Sequence, residues 1–437
     1  MRSCAPPRAR RIIAGRANRP LRAESRVSSI PPASIWRLPG FPNYLGASAA
    51  TTLAFSMQQL LVSWLFIGVL HVEPEGVGVA QAIIGVPGLF LMLWGGVSAD
   101  RTDPRSLLIR VYLFSTLPPL LLVALSHLDL LTYWSVTLAA LLLSVATSFQ
   151  TPAQAAILNR SAGARVQEAV TAATALTFVV QVVGLSIAGQ LEDIGLDVVL
   201  LLQSLAIAVG ALLIRRMPPV IVPRAAGPAT PAWRSVLDGL VAIREQPVVL
   251  HTLIANFVSM IFNAGSFFLI FPFLMTRVYG GDAAFLAIML VVFYAGAVVV
   301  NFALLKFMPL ARPGRLFLAM QFTRALIFAL YLLEPGLPLL VAATFLWGMN
   351  MGITTTTSRS IIQECAAEAY RGRILAVYNV GALGAQPLGA LVLGFIVAEV
   401  GIVQGLVPGL VASLALCVYG IALTPIWGYV SAERRPS

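Results

Sequence analysis

Gly95-Gly96-Val97-Ser98-Ala99-Asp100-Arg101-Thr102-Asp103-Pro104-Arg105 separates two apolar runs, each long enough to cross a bilayer. Before it, residues 78–99 carry no charge; after it, Ser106 to Leu125 carries only Arg110. An Asp or Arg at the centre of a span costs roughly 2.5 to 3.5 kcal/mol on insertion scales, so four such residues within six positions belong to a loop at a membrane surface. Gly95 and Gly96 allow two helices to approach closely, and Pro104 is placed to open the next helix, where its missing N–H costs nothing.

Working outward, the composition agrees. Hydrophobic residues make up 58% of the 437-residue chain and charged residues 11%, and the mean hydropathy is +0.87, which describes an integral membrane protein. Apolar runs of about 20 residues recur twelve times. They predict an all-α fold of twelve transmembrane helices in two six-helix halves. Residues 38–214 form the first half and 247–430 the second. Between them, residues 215–246 hold Pro218, Pro219, Pro223, Pro228 and Pro231, too polar and too broken to cross a membrane. Within that linker Trp233, Val236, Leu237, Leu240 and Val241 fall at helical spacing and predict an amphipathic helix on the membrane surface.

The halves read as diverged copies. A shift of 206 residues carries Arg165 onto Arg371 and Gly195 onto Gly401; a shift of 205 carries Gly184 onto Gly389 and Gly189 onto Gly394. Arg312-Pro313-Gly314-Arg315 echoes the opening turn at Thr102 to Arg105.

The net charge of +11 could suggest nucleic acid, but its placement does not. Nine of the 29 basic residues precede Leu38, and most others fall in alternate loops, so the positive-inside rule places both termini and the linker in the cytoplasm. Residues 1–37 lack the apolar core of a signal peptide and read as a basic, disordered cytoplasmic tail, as do residues 431–437; a transit peptide is the alternative for the first. The expected location is a bacterial plasma membrane, since 28 Arg against one Lys suggests a GC-rich genome, or an organelle membrane if the tail is a transit peptide. The lipid bilayer and a small-molecule substrate are the expected partners, with the chain acting as a monomer.

Enzyme chemistry has no footing. His71, His127 and His251 lie at span ends, no Ser-His-Asp grouping is readable, and Cys4, Cys365 and Cys417 are too scattered for a metal site. With no Gly-rich phosphate loop either, no cofactor is expected and an ion gradient is the natural energy source.

The order glycine, three residues, Asp-Arg, then further charge before the next span resembles the loop 2–3 motif of the major facilitator superfamily. Gly96, Asp100, Arg101 and Arg105 match it; Asp103, where a glycine is usual, resembles the exporter branch that includes enterobactin and macrolide efflux proteins. The resemblance covers residues 40–430. It implies alternating access by rocking of the two halves, with the matched residues gating the cytoplasmic side. In the second half Glu364, Glu368, Arg371, Gly372 and Arg373 resemble the Arg-Gly-Arg loop of the same branch, and are expected to form inter-helix salt bridges there.

In that family the first, fourth, fifth, seventh, eighth, tenth and eleventh spans line the cavity. The in-span polar residues on such helices are Gln58 and Gln59, Gln181, Asn256 and Asn263, Tyr294 and Asn301, Asn350 and Thr354, and Asn379 and Gln386. They are candidates for binding an uncharged polar or amphipathic ligand; helix–helix hydrogen bonding is the alternative for each. Glu168 at the start of the fifth span and Arg324 inside the ninth are candidates for charge coupling, and for Arg324 an interhelical clamp is the alternative. The implied function is proton-coupled efflux of a drug-, macrolide- or siderophore-like molecule. The alternatives are a lysophospholipid flippase and a non-transporting receptor. The sequence departs from the antiporter pattern in lacking an acid in the first span and a proline beside Gly184, while keeping Pro387-Leu388-Gly389.

Overall fold

Asp103 turns the chain between the second and third spans as an N-cap: its carboxylate accepts from the backbone N–H of Arg105 and Ser106, with Pro104 as the first helical residue. Such a cap satisfies N–H groups that a helix start leaves orphaned. The computed structural model describes residues 40–101, 103–162, 165–218, 232–308, 310–367 and 370–431; for 92–101, 166–167 and 232–236 only the backbone is described.

Twelve long helices are described. In the first half they are α1 (Phe41–Val69), α2 (Pro74–Arg101), α3 (Pro104–His127), α4 (Tyr133–Ala162), α5 (Val166–Gly189) and α6 (Leu196–Arg215). In the second they are α7 (Pro247–Val278), α8 (Ala283–Leu305), α9 (Pro313–Tyr331), α10 (Leu337–Cys365), α11 (Arg371–Val400) and α12 (Gln404–Ala422). Eleven of them are long and apolar enough to span a bilayer. The twelfth, α9, is interrupted by Arg315, Gln321 and Arg324, yet packs between α10 and α12 as its counterpart α3 packs between α4 and α6.

The two-fold relation reaches single residues. Asp129 and Glu334, 205 positions apart, both take left-handed backbone in the loops after α3 and α9 (φ 53° and 47°); Gly195 and Gly401, 206 apart, have φ of 90° and 93°. The far ends of α1 and α7 both widen into π-helical turns, at Leu65–Val69 and Leu274–Val278. Contacts between halves run along α2 with α11 and along α5 with α8. Gly394 lies against the Pro74 carbonyl and the Gly78 backbone, and Gly189 against Ala287, crossings with no space for a larger residue.

One apolar core spans both halves on the face opposite the linker, joining Leu61, Phe66 and Leu185 to Phe267, Phe293 and Trp347. On the linker face each half keeps its own core: Phe41, Tyr112, Ile157 and Ile214 in one, Phe317, Leu318, Ile361 and Ile426 in the other. Among the described residues the apolar core is therefore continuous across the halves on the far face and divided between them on the linker face.

The linker helix, Ala232–Arg244, buries Gly239, Ala242 and Ile243 against the second half, where Ile243 packs with Val249, Ile362 and Ile374. Leu237, Leu240 and Val241 of the expected apolar stripe point away from the bundle and are exposed.

Candidate functional site: a glutamine-lined cavity

Between the halves, two adjoining cavities of about 280 and 220 Å³ meet at Phe55 and Gln59 of α1. The larger is walled by α1, α4 and α5, with Gln150, Thr151 and Gln154 of α4 facing Gln181. The smaller is bounded by Gln58, Gln81 of α2, Phe268 of α7 and Gln386 of α11, so it draws on both halves. Carboxamides, hydroxyls and aromatic or aliphatic side chains make up both linings, and among the described residues no ionisable side chain takes part.

The bonding between these groups is specific. Tyr294 of α8 donates to Gln59 Oε1 at 3.0 Å, a link between halves, and Gln181 also faces its hydroxyl. Gln154 Nε2 donates to the Tyr112 hydroxyl at 2.7 Å and to Thr51 Oγ1 at 3.3 Å. Gln203 of α6 donates to Gln58 Oε1 at 2.7 Å.

Of the residues proposed from sequence, Gln58, Gln59, Gln181 and Gln386 line the cavity, and Tyr294 is bonded to it. Asn379 lies seven residues before Gln386, on the same stripe of α11, and is exposed. The others bond within the second half, though Asn256 Oδ1 is buried with no hydrogen-bond partner among the described residues. Asn263 accepts from the Trp347 indole at 2.8 Å, and Asn301 accepts from Thr356 at 2.9 Å while donating to the Ala297 carbonyl. Asn256 is buried, with Nδ2 on the Met260 sulfur.

Asn350 and Thr354 belong to Arg324, which is 2% exposed and tied to three helices. Its Nε and Nη2 reach Asn350 Oδ1 at 3.1 Å, Nη2 also reaches Thr354 Oγ1 at 3.2 Å, and Nη1 donates to Gln321 Oε1 at 3.2 Å and to Ser259 Oγ. All five guanidinium hydrogens are used and every acceptor is neutral. The arrangement is the interhelical clamp, the alternative reading of Arg324, and in it Asn350 and Thr354 are bonded to the guanidinium.

The loop residues also sort differently from expectation. Arg105 donates to the carbonyls of Arg215 (2.5 Å) and Ile214 (3.3 Å), pinning α3 to the end of α6 within one half. Arg315, its counterpart, donates to the Trp427 carbonyl at 3.3 Å and stacks over that indole. Glu364 accepts from Ser360 and from Tyr429, not from Arg371 or Arg373. Burial, with Cys365 and Glu364 beside it, pushes the Tyr429 phenol above its ordinary value, so it donates rather than ionises. Arg373 pairs with Asp238 of the linker helix at 3.4 Å, Arg371 is exposed, and Gly372 has open space around it. Glu168 pairs with Arg165 one turn away at the surface, so it is no buried proton site. The side chains of Gly96, Asp100 and Arg101, and Glu368, lie outside the described residues.

Sequence reasoning missed two groups. Gln150 and Gln154, with Thr147 and Thr151, form a polar stripe at 3- and 4-residue spacing around Pro152 of α4. That periodicity was open to detection. The far-face latch was not: Arg277 of α7 reaches Glu73 at 2.9 Å and the carbonyls of Val72 (2.9 Å) and His71 (3.3 Å) across the halves, and Glu192 accepts from the Ala283 N–H. Among the described residues no cluster of His, Cys, Asp or Glu could hold a metal ion.

The fold has close counterparts among solved structures. The nucleoside transporter NupG superposes with a TM-score of 0.72 at 13% identity, covering 89% of this chain and 99% of its own. A D-xylose-proton symporter gives 0.70 at 10% identity, covering 88% and 98%. An inward-facing, unoccupied bacterial homologue of the human lysosomal transporter Spinster gives 0.64 at 12% identity, covering 89% and 96%. No curated protein matches the sequence. Residues 44–390 match the model of the Major Facilitator Superfamily, and the chain belongs to that family of membrane transporters.

Proposed function

We propose that this protein is a secondary active transporter that moves a small, uncharged, amphipathic molecule out of the cell by alternating access. The observation that carries the reading is the cavity itself: carboxamides and hydroxyls beside Phe55 and Phe268, with no ionisable group, sealed on one face. A charged solute placed there would lose its hydration with no counter-charge to replace it, whereas a neutral one exchanges water hydrogen bonds for glutamine ones. With the arginine-rich loops and linker in the cytoplasm, the face closed by the continuous apolar core is the external one, which suits an exporter that loads from inside. The similar Spinster homologue was solved in an inward-facing form. One chain encloses the whole cavity, so a monomer suffices, and no bound cofactor enters the cycle.

Proton entry is the counter-flow that resemblance to the exporter branch implies. With no carboxylate in the cavity lining, it would act through acids at helix ends, such as Asp100, and not through direct competition with the solute. Proteoliposomes carrying a pH dye are the test. A gradient of a neutral amphipathic solute should drive a pH change across the vesicle that empty liposomes lack. Solute flux with no pH change would remove the proton and leave a uniporter; absence of flux for every neutral solute, with charged ones carried, would overturn the reading of the cavity.

A further inference from the structure

A glutamine side chain offers a donor and an acceptor on one carbon, and its partners decide which of them remains for a ligand. On the α4 wall those partners can be followed. The Thr51 hydroxyl gives its hydrogen to the Ala47 carbonyl at 3.0 Å and can therefore only accept from Gln154. This fixes the Gln154 amide: NH2 inward to Thr51 and Tyr112, carbonyl oxygen left to the cavity. Gln59 is fixed the opposite way, since its oxygen accepts from Tyr294, leaving its NH2 as a donor. The neighbouring hydroxyls are spent on their own helix, Thr147 on the Leu143 carbonyl and Thr151 on the Thr147 carbonyl.

Gln150 stands among them. It is 5% exposed, lines the larger cavity, and has no protein hydrogen bond among the described residues. The Gln150 oxygen and nitrogen remain open to the cavity, so water satisfies them when it is empty and a ligand that enters can take water's place.

We propose that this wall is a recognition site for a neutral lactam or secondary amide, in which Gln150 makes both contacts: its oxygen accepts the ligand N–H and its NH2 donates to the ligand carbonyl. Gln154 supplies a second acceptor and Gln59 a second donor, while Phe55 covers the apolar body of the ligand. The substrate class so defined is a small uncharged ring or chain carrying a cis or accessible amide edge. This rests on the carrier reading above and names its substrate chemistry.

The test uses the purified full-length protein in detergent and three matched probes: isoquinolin-1(2H)-one, its N-methyl derivative, and isocoumarin, in which the ring N–H becomes oxygen. Shape is nearly constant and only the amide edge changes. The lactam should stabilise the protein at concentrations about tenfold lower than the other two, the usual size of one buried hydrogen bond. Gln150→Leu should abolish that preference, weakening the lactam response more than the isocoumarin response, which loses only the carbonyl contact, and an unchanged thermal midpoint without ligand shows that the variant is folded. Thr147→Val, whose hydroxyl is already spent, should keep the preference. Equal response to all three probes in the wild type, or a preference that survives Gln150→Leu, would overturn the proposal. Flux in proteoliposomes is read separately: discriminated binding without flux defeats the carrier reading and leaves the recognition site standing, and flux without discrimination does the reverse.

Discussion

The two halves share one backbone plan and use the interior polar residues on it oppositely. In the first half, Gln59, Gln150, Gln154 and Gln181 turn toward open space, and the bonds they make fix their direction rather than exhaust them. In the second, Ser259, Gln321, Asn350 and Thr354 close around Arg324 and leave no donor of the guanidinium free. Polar groups in hydrocarbon are satisfied by water in an open cavity or by one another in a closed cluster, and the two halves take these two courses, although Gln321 Nε2 in the second is left without a partner among the described residues.

The largest expected effect breaks this contrast directly. Asn350→Leu removes the acceptor shared by two guanidinium nitrogens and strands a buried charge, which should cost about 3 to 5 kcal/mol and show as a large fall in the thermal midpoint of the detergent-solubilised protein. Gln150→Leu, on the equivalent helix of the other half, should change that midpoint by less than about 0.5 kcal/mol, because no protein partner is lost. Equal losses would mean that the cavity wall is as structural as the clamp.

That contrast also separates what the sequence conveys from what it does not. The hairpin at Asp100 to Arg105, the doubling at 205 and 206 residues and the amphipathic linker are all periodic or local features, and the helices follow them closely. The polar residues on the spans were legible as a set; their destinations were not. Gln59 and Asn350 look alike in sequence, each an amide on a helix of the expected cavity. What distinguishes them is Arg324 on a third helix, and no local pattern reports which helices meet. The acids and arginines around residues 364–373 were legible as inter-helix bridging groups but not their partners: Glu364 meets Tyr429 and Arg373 meets Asp238, both distant in the chain.

A second contrast lies between the faces: among the described residues the apolar core is continuous across the halves on one side and divided on the other. Arg277 is the side chain that joins the halves most extensively on the continuous side, through Glu73 and two carbonyls. The pair is half-exposed, so its worth is modest, roughly 1 kcal/mol, or about a fivefold change in the balance of open and closed far faces. In a background without Cys4, Cys365 and Cys417, Val77→Cys places a smaller, thiol-bearing side chain in the buried inter-half core one turn after Glu73. Arg277→Ala should speed its alkylation by a membrane-impermeant reagent about fivefold. An unchanged rate would show that the apolar core beneath, with Phe267 and Trp347, holds the face shut by itself.

The smallest effect asks whether the two-fold is energetic as well as geometric. Arg105 and Arg315 occupy equivalent positions and do the same work, each donating to a carbonyl at or beyond the end of the last helix of its half. A cation at a helix C-terminus contributes about 0.3 to 1 kcal/mol. Arg315 also lies 5.0 Å from the centre of the Trp427 ring, which adds about 0.5 kcal/mol at an exposed site. Arg105→Ala should therefore destabilise slightly less than Arg315→Ala, and Trp427→Leu should bring the two arginines level. If Arg105→Ala instead proves the costlier change, the additional work must come from its neighbours in the Asp100–Arg101 turn, and that turn would then be a brace for the first half before it is a gate between the two.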